Sequence, residues 1–144
     1  SGSLLAGEAN WTGTFAGKQG AAFTFANTPV NGSSLQLKAS GTNANNPSSY
    51  IRVQYSNGQV LVQTTTNGSS INPTFTTIGT LTSGNFASGD TLTAVANTDG
   101  SVDVWRNTTY LGHSSTSAFT GTGRIGIEVP ANVRVDNFSG GTLP

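Results

Sequence analysis

The chain has 144 residues, with six Lys and Arg against six Asp and Glu, so its formal net charge is zero and only 8% of its residues are charged. This excludes the basic footprint of a nucleic-acid binder and the polybasic patch of a membrane-surface binder. The absence of cysteine excludes a disulfide framework, a thiolate metal site and a cysteine nucleophile.

No apolar run approaches the ~20 residues of a bilayer span, so no membrane insertion is expected. The length fits one domain, residues 1–144, able to bury its own core. The opening "SGS" without an initiator Met suggests a tag scar or a domain cut from a longer precursor, and the neutral polar surface of Thr, Ser, Asn and Gly suits a secreted bacterial protein. Other domains of that parent would then be partners, and the location extracellular.

Helical periodicity is absent, and period-two alternation recurs instead. In chain order, residues 21–26, 34–39, 50–55, 59–64, 91–96, 101–105, 124–129 and 133–138 read as strands separated by turn residues, the pattern of an all-β sandwich. Expected core residues are Phe23, Phe25, Leu35, Leu37, Ile125, Ile127, Val133 and Val135, with Phe75, Ile78, Leu81, Phe86 and Phe119 from looser stretches. Residues 40–49 and 65–75 read as connecting loops.

Two turns fix register. Asn57-Gly58 suits a two-residue type I′ hairpin, which pairs Tyr55 with Val60, Val53 with Val62 and Arg52 with Gln63. Ile51, Val53, Tyr55, Val60 and Val62 then share one face, and Arg52, Gln54, Leu61 and Gln63 the other. In "NTDGS" a three-residue loop with Gly100 in the left-handed conformation sets Ala96 opposite Val102 and Ala94 opposite Val104. A two-residue loop would scatter Leu92, Ala94 and Ala96 away from the valines. The three-residue register turns Asp103 and Trp105 outward, beside Thr93 and Val95. A short turn at Asn107-Thr108 would set Tyr110 opposite Trp105 and Leu111 opposite Val104.

"GDTLTAVANTDGSVDVWRN", followed by "LG", "GRIGIEV" and "VRVDNFSGG", resembles the closing half of concanavalin A-like lectin/glucanase jelly rolls of secreted bacterial proteins. The resemblance covers residues 81–141, and more loosely 18–64. It implies a two-sheet antiparallel jelly-roll β-sandwich. Jelly rolls of this kind serve as lectins, carbohydrate-binding modules, laminin G-like protein binders and glycosidases, so fold alone does not choose among them. Members commonly carry a further strand with an Asp-Asn-Phe or similar motif before the point where this chain begins.

An enzyme of this fold needs two carboxylates across the scissile bond. The acids are Glu8, Asp90, Asp99, Asp103, Glu128 and Asp136, and no strand carries two at alternating positions. His113 is the single histidine and has no Gly-x-Ser-x-Gly elbow beside it. A glycoside hydrolase or polysaccharide lyase therefore ranks third.

A glycan or polysaccharide binder needs a flat aromatic platform for the C–H face of a sugar, together with planar hydrogen-bonding side chains. Trp105 and Tyr110 offer the platform, with Asp103, Arg52, Gln54 and Gln63 as polar partners. The competing reading makes Trp105 and Tyr110 an ordinary cross-strand pair in a laminin G-like structural or adhesive module. Trp11 is a second candidate platform with a core alternative. The resemblance further implies one structural calcium ion using Asp136, for which Glu8 and Asp90 are conceivable partners; the alternative is that Asp136 caps a turn with Asn137.

Overall fold

The computed structural model describes residues 3–4, 7–82, 85–131 and 133–144, with residues 3, 4, 7 and 8 described by their backbone alone. Twelve strands are described, β1(Ser3–Leu4), β2(Gly7–Asn10), β3(Gln19–Phe25), β4(Ser34–Ser40), β5(Ser49–Ser56), β6(Gln59–Thr65), β7(Thr76–Leu81), β8(Thr91–Ala96), β9(Val102–Arg106), β10(Thr109–His113), β11(Arg124–Val129) and β12(Val135–Thr142). They form two six-stranded sheets in the orders β1-β12-β3-β8-β9-β10 and β2-β11-β4-β5-β6-β7. Every pairing is antiparallel. The chain is a two-sheet antiparallel β-sandwich.

Alternation decides what each sheet buries. Phe23 and Phe25 of β3, Leu92 and Ala94 of β8 and Val102 and Val104 of β9 meet Leu35, Leu37, Ile51, Val53, Val60, Val62 and Ile125 of the second sheet, all fully buried. Each such side chain contributes roughly 1.5–3 kcal/mol before entropy is charged against it. Phe25, Tyr55 and Phe86 stand edge to face at 5.7–5.8 Å, a favoured aromatic geometry.

The turns behave as their chemistry requires. Asn57 and Gly58 take φ of 50° and 74°, and the hairpin pairs Ser56 with Gln59, Tyr55 with Val60, Val53 with Val62 and Arg52 with Gln63. Gly100 takes φ of 80°, and Ala96 faces Val102 while Ala94 faces Val104. A Cβ at Gly100 would run into the Ser117 carbonyl, so no other residue fits there.

Three expectations are corrected. Leu111 is not opposite Val104: a bulge between Tyr110 and Gly112 puts Gly112 there and His113 opposite Asp103. Phe75 is not core; it lies half-exposed beneath the Arg52 guanidinium, outside the second sheet. Residues 76–81 form β7, unread because a register shift between Val62 and Gln63 breaks its alternation, which leaves apolar Ile78 and Leu81 three residues apart.

Polar groups close the ends and seams of the sandwich. Gln19 is fully buried; its amide accepts from Lys38 N at 2.7 Å and donates to the Ala16 and Gly123 carbonyls at 3.1 and 3.3 Å. Lys38, at φ 52° on a bulge, sends its ammonium to the Asn97 carbonyl at 2.6 Å, bridging to the turn of the other sheet. Desolvation pulls the Lys38 ammonium below the usual lysine range, and Asp99 partly opposes it. Trp11 stacks on Phe138 at 4.9 Å and tilts over Phe15 at 5.5 Å, so this second candidate platform closes the seam between β2 and β12 while keeping 36% of its surface exposed.

Candidate functional site

The first face belongs to the β9–β10 hairpin. Trp105 lies between Thr93 of β8 and Tyr110 of β10, and its ring meets Tyr110 at 5.3 Å and 59°. Tyr110 is 50% exposed. Its hydroxyl donates to Asp103 Oδ1 at 2.6 Å, while Asp103 Oδ2 accepts from Asn97 Nδ2 at 2.9 Å. A phenol has one proton to give, so in the 3.2 Å contact between Tyr110 Oη and His113 Nδ1 the histidine nitrogen is the donor. The result is a chain from His113 through Tyr110 to Asp103. The bond to Asp103 raises the Tyr110 phenol above its usual value, and desolvation adds to this.

Asp103 thus serves first as an anchor for the aromatic pair. Beyond Trp105, toward the middle of the sheet, the surface falls away into a trough of about 370 Å³ lined by Gly20, Ala22, Thr93, Val95, Ser139 and Leu143, among others. The floor is low because cross-strand partners are small: Thr93 faces Ala22, Ala22 faces Ser139, and Gly20 faces both Val95 and Gly141.

The second face is the side of the other sheet turned away from the core, on which Gln36 and Tyr50 are themselves buried. Register sets Asn10, Gly126, Gln36, Arg52, Gln63 and Thr77 in one row across six strands. The row is a hydrogen-bonded rack. Asn10 Nδ2 donates to Gln36 Oε1 at 2.8 Å, and Gln63 Nε2 to Thr77 Oγ1 at 3.1 Å. Arg52 donates from Nε and Nη2 to Gln63 Oε1 at 3.1 and 2.6 Å. Its guanidinium carbon lies 3.5 Å from the Phe75 ring centre, a cation–π contact. Burial lowers the Arg52 pKa, with Tyr50 and Glu128 opposing from a distance. Gln54 sits one row along, opposite Ser34 and Leu61.

The six expected ligand contacts therefore fall into two groups. Trp105, Tyr110 and Asp103 are on the first sheet, and Arg52, Gln54 and Gln63 on the second. With packed sheets ~10 Å apart and both sets pointing outward, the groups face opposite directions and cannot hold one sugar ring together.

The acids expected around calcium have separate employment. Asp90 accepts from Ala87 N and from Asn107 Nδ2, both at 2.9 Å, and so braces the β9–β10 turn. Those bonds, Asn107 first, hold its carboxyl below the usual range. Asp136 pairs with Arg134 at 3.5 Å, and the neighbouring Asn137 takes φ of 54°. The Glu8 side chain lies outside the described residues, and its backbone pairs with Glu128 in the second sheet. Among the described residues, no three His, Asp or Glu side chains converge as a metal-binding group.

Sequence reasoning missed Phe75, Asn10 and Gln36 on the second face and the part played by His113 on the first. For His113 the signal was present: Gly112, which takes φ of 134°, marks a bulge in a strand that otherwise reads as regular.

No protein-family model matches the chain, and no curated protein matches it. Solved structures do. A carbohydrate-binding module CBM66 from Bacillus subtilis superposes with a TM-score of 0.67 at 13% identity, covering 96% of this chain and 84% of its own. Sheep galectin-11, solved with glycerol, gives 0.60 at 12% identity over 95% and 98%. CG-16, a homodimeric agglutinin from chicken liver, gives 0.55 at 9% identity over 96% and 99%. At such identities the likeness establishes the shared architecture: this chain has the jelly-roll sandwich of those carbohydrate-binding and lectin proteins.

Proposed function

We propose that this domain is a non-catalytic carbohydrate-binding module of a secreted protein, holding a sugar on Trp105 and Tyr110. One observation carries the reading: an indole and a half-exposed phenol stand together on β9 and β10, the phenol bonded to Asp103, beside a trough along β8, β3 and β12. A ring stacked on Trp105 would extend over the low floor of Thr93 and Ala22. The Asp103 carboxylate, which keeps lone pairs beyond its two bonds, and the Tyr110 hydroxyl would receive sugar hydroxyl protons. Arg52, Gln54 and Gln63 belong to a separate ligand face. Likeness to carbohydrate-binding and lectin structures supports the reading.

The test is a glycan-array and insoluble-polysaccharide pull-down comparing wild type with Trp105→Ala, each with calcium and with chelator. Retention lost in the variant, with a melting shift equivalent to no more than about 1 kcal/mol, supports the platform. A large stability loss places Trp105 in a bracing role. Absence of retention on every glycan moves the domain to the laminin G-like structural class. A structural calcium ion at Asp136 predicts a lower melting temperature in chelator, and unchanged melting removes the ion from the proposal.

A further inference from the structure

Among the described residues, no carboxylate pairs with the half-buried Arg52 cation, and Glu128 acts on it only from a distance. The ion pair found among them within 4.0 Å is Arg134–Asp136. A guanidinium has five N–H donors arranged on two usable edges. Gln63 occupies the Nε/Nη2 edge with a neutral oxygen. The Nη1/Nη2 edge, which matches the two oxygens of a carboxylate or sulfate, makes no hydrogen bond among the described residues.

The group is also held still. Phe75 stacks under it at 3.5 Å, Gln63 grips it from the side, and Thr77 fixes Gln63 at 3.1 Å. Ordering a long side chain costs a binding event much of its gain, and here that ordering is already done. Glu128, the acid acting on Arg52 electrostatically, stands two strands away on β11, on the side opposite β6 and Gln63. A charge that is partly desolvated, rigid and open along one edge is built to receive an oxyanion.

We propose that Arg52 is the centre of a second binding site, on the face opposite Trp105, that takes an oxyanion borne by a sugar: a uronate carboxylate or a sulfate ester. The carbohydrate carrier rests on the function proposed above; the oxyanion does not. The site makes the domain two-faced, with a stacking surface on one sheet and a charge-selective one on the other.

Titration calorimetry at low salt with three probes tests it: an oligogalacturonate, the same oligosaccharide with its carboxyls reduced to alcohols, and a sulfated form of the reduced chain. The expected result is tighter binding of one or both charged chains than of the reduced one, with the excess weakened as salt rises. Arg52→Gln should lower that affinity about 10- to 100-fold, the range for a charge-assisted hydrogen-bonded contact. Gln63→Glu should do the same by supplying a paired counter-charge internally, while melting at or above wild type, which separates lost binding from lost folding. Trp105→Ala should leave charged-chain binding intact. Equal affinity for charged and reduced chains overturns the site, as does failure to bind either charged chain. Binding that survives Arg52→Gln, or that disappears in Trp105→Ala, overturns it too. Failure of neutral glycans to bind the Trp105 face would sink the function proposed above and leave these readings unaffected.

Discussion

The two hairpins that carry the candidate faces start alike and end differently. Both turn through two residues led by an asparagine at positive φ, Asn57 at 50° and Asn107 at 54°. The first continues with Gly58 and runs in register through seven consecutive pairs. The second continues with Thr108 and slips after two, at the Tyr110–Gly112 bulge. In the regular hairpin, direct neighbours meet, and Arg52 finds Gln63. In the slipped one, His113 replaces Gly112 opposite Asp103, and the His113, Tyr110 and Asp103 chain forms around a carboxylate. A clean register builds a rack of amides; a bulge gathers titratable groups.

Gly100→Val should separate the halves of the molecule most sharply. The side chain meets the Ser117 carbonyl at a φ of 80°, which costs about 3 kcal/mol or more and releases the β8–β9 register on which Trp105 depends. Thermal melting should show the loss, and hydrogen exchange should place it in β8–β10 before β5–β6. Gly112→Ala attacks the bulge itself, at φ 134° with Leu81 Cδ2 at 3.1 Å. About 1–2 kcal/mol should go, and the His113 and Tyr110 side-chain NMR signals should shift together. A variant in which those signals do not move would show that the bulge is not what joins them.

Acid should distinguish the two turns. Asn107 hangs on the Asp90 carboxylate, whereas Asn57 exchanges bonds at 2.6 Å with the uncharged side chain of Asn31. The folded pKa of Asp90 is lowered, so its contribution is present above the unfolded value of about 3.9 and is lost as pH falls through the folded value. Amide exchange near Asn107 should therefore quicken below about pH 4 while that near Asn57 keeps its ordinary pH dependence. At the other extreme the raised Tyr110 value means that stability is present below about pH 10 and lost as pH rises through the folded value. The smallest effect is expected from Phe75→Leu, which removes the ring under Arg52 at a cost of about 0.5–1 kcal/mol by melting.

Turn chemistry made much of this fold readable. Asn57-Gly58 and Gly100 fixed two registers, and with them the outward direction of Arg52, Trp105 and Asp103, because alternation leaves no third choice. Bulges resisted reading: the extra residue at Leu111 and the irregularity beside Ile78 change face without changing composition. Sheet membership was also hidden. A strand's pattern tells which side is buried but not which sheet it joins, so Trp105 and Arg52, both outward, could be mistaken for neighbours. Phe75, from a looser stretch, reads as core by residue type, and only the position of Arg52 gives it another task.

The pairing of β12 with β3 has a consequence for how the molecule is made. β3 carries Phe23 and Phe25, and its partner on one side spans residues 135–142, more than a hundred positions later. During synthesis those two rings and the open backbone of β3 must wait until residues 135–142 have emerged, since β12 is the strand that fills that place. Hairpins β5–β6 and β8–β9 can close early, yet the sandwich cannot. Such late, distant pairing is slow, on the order of milliseconds to seconds, and leaves a strand edge exposed to other chains in the meantime. The yield of soluble protein should respond more to expression rate and temperature than the stability of the finished domain would suggest.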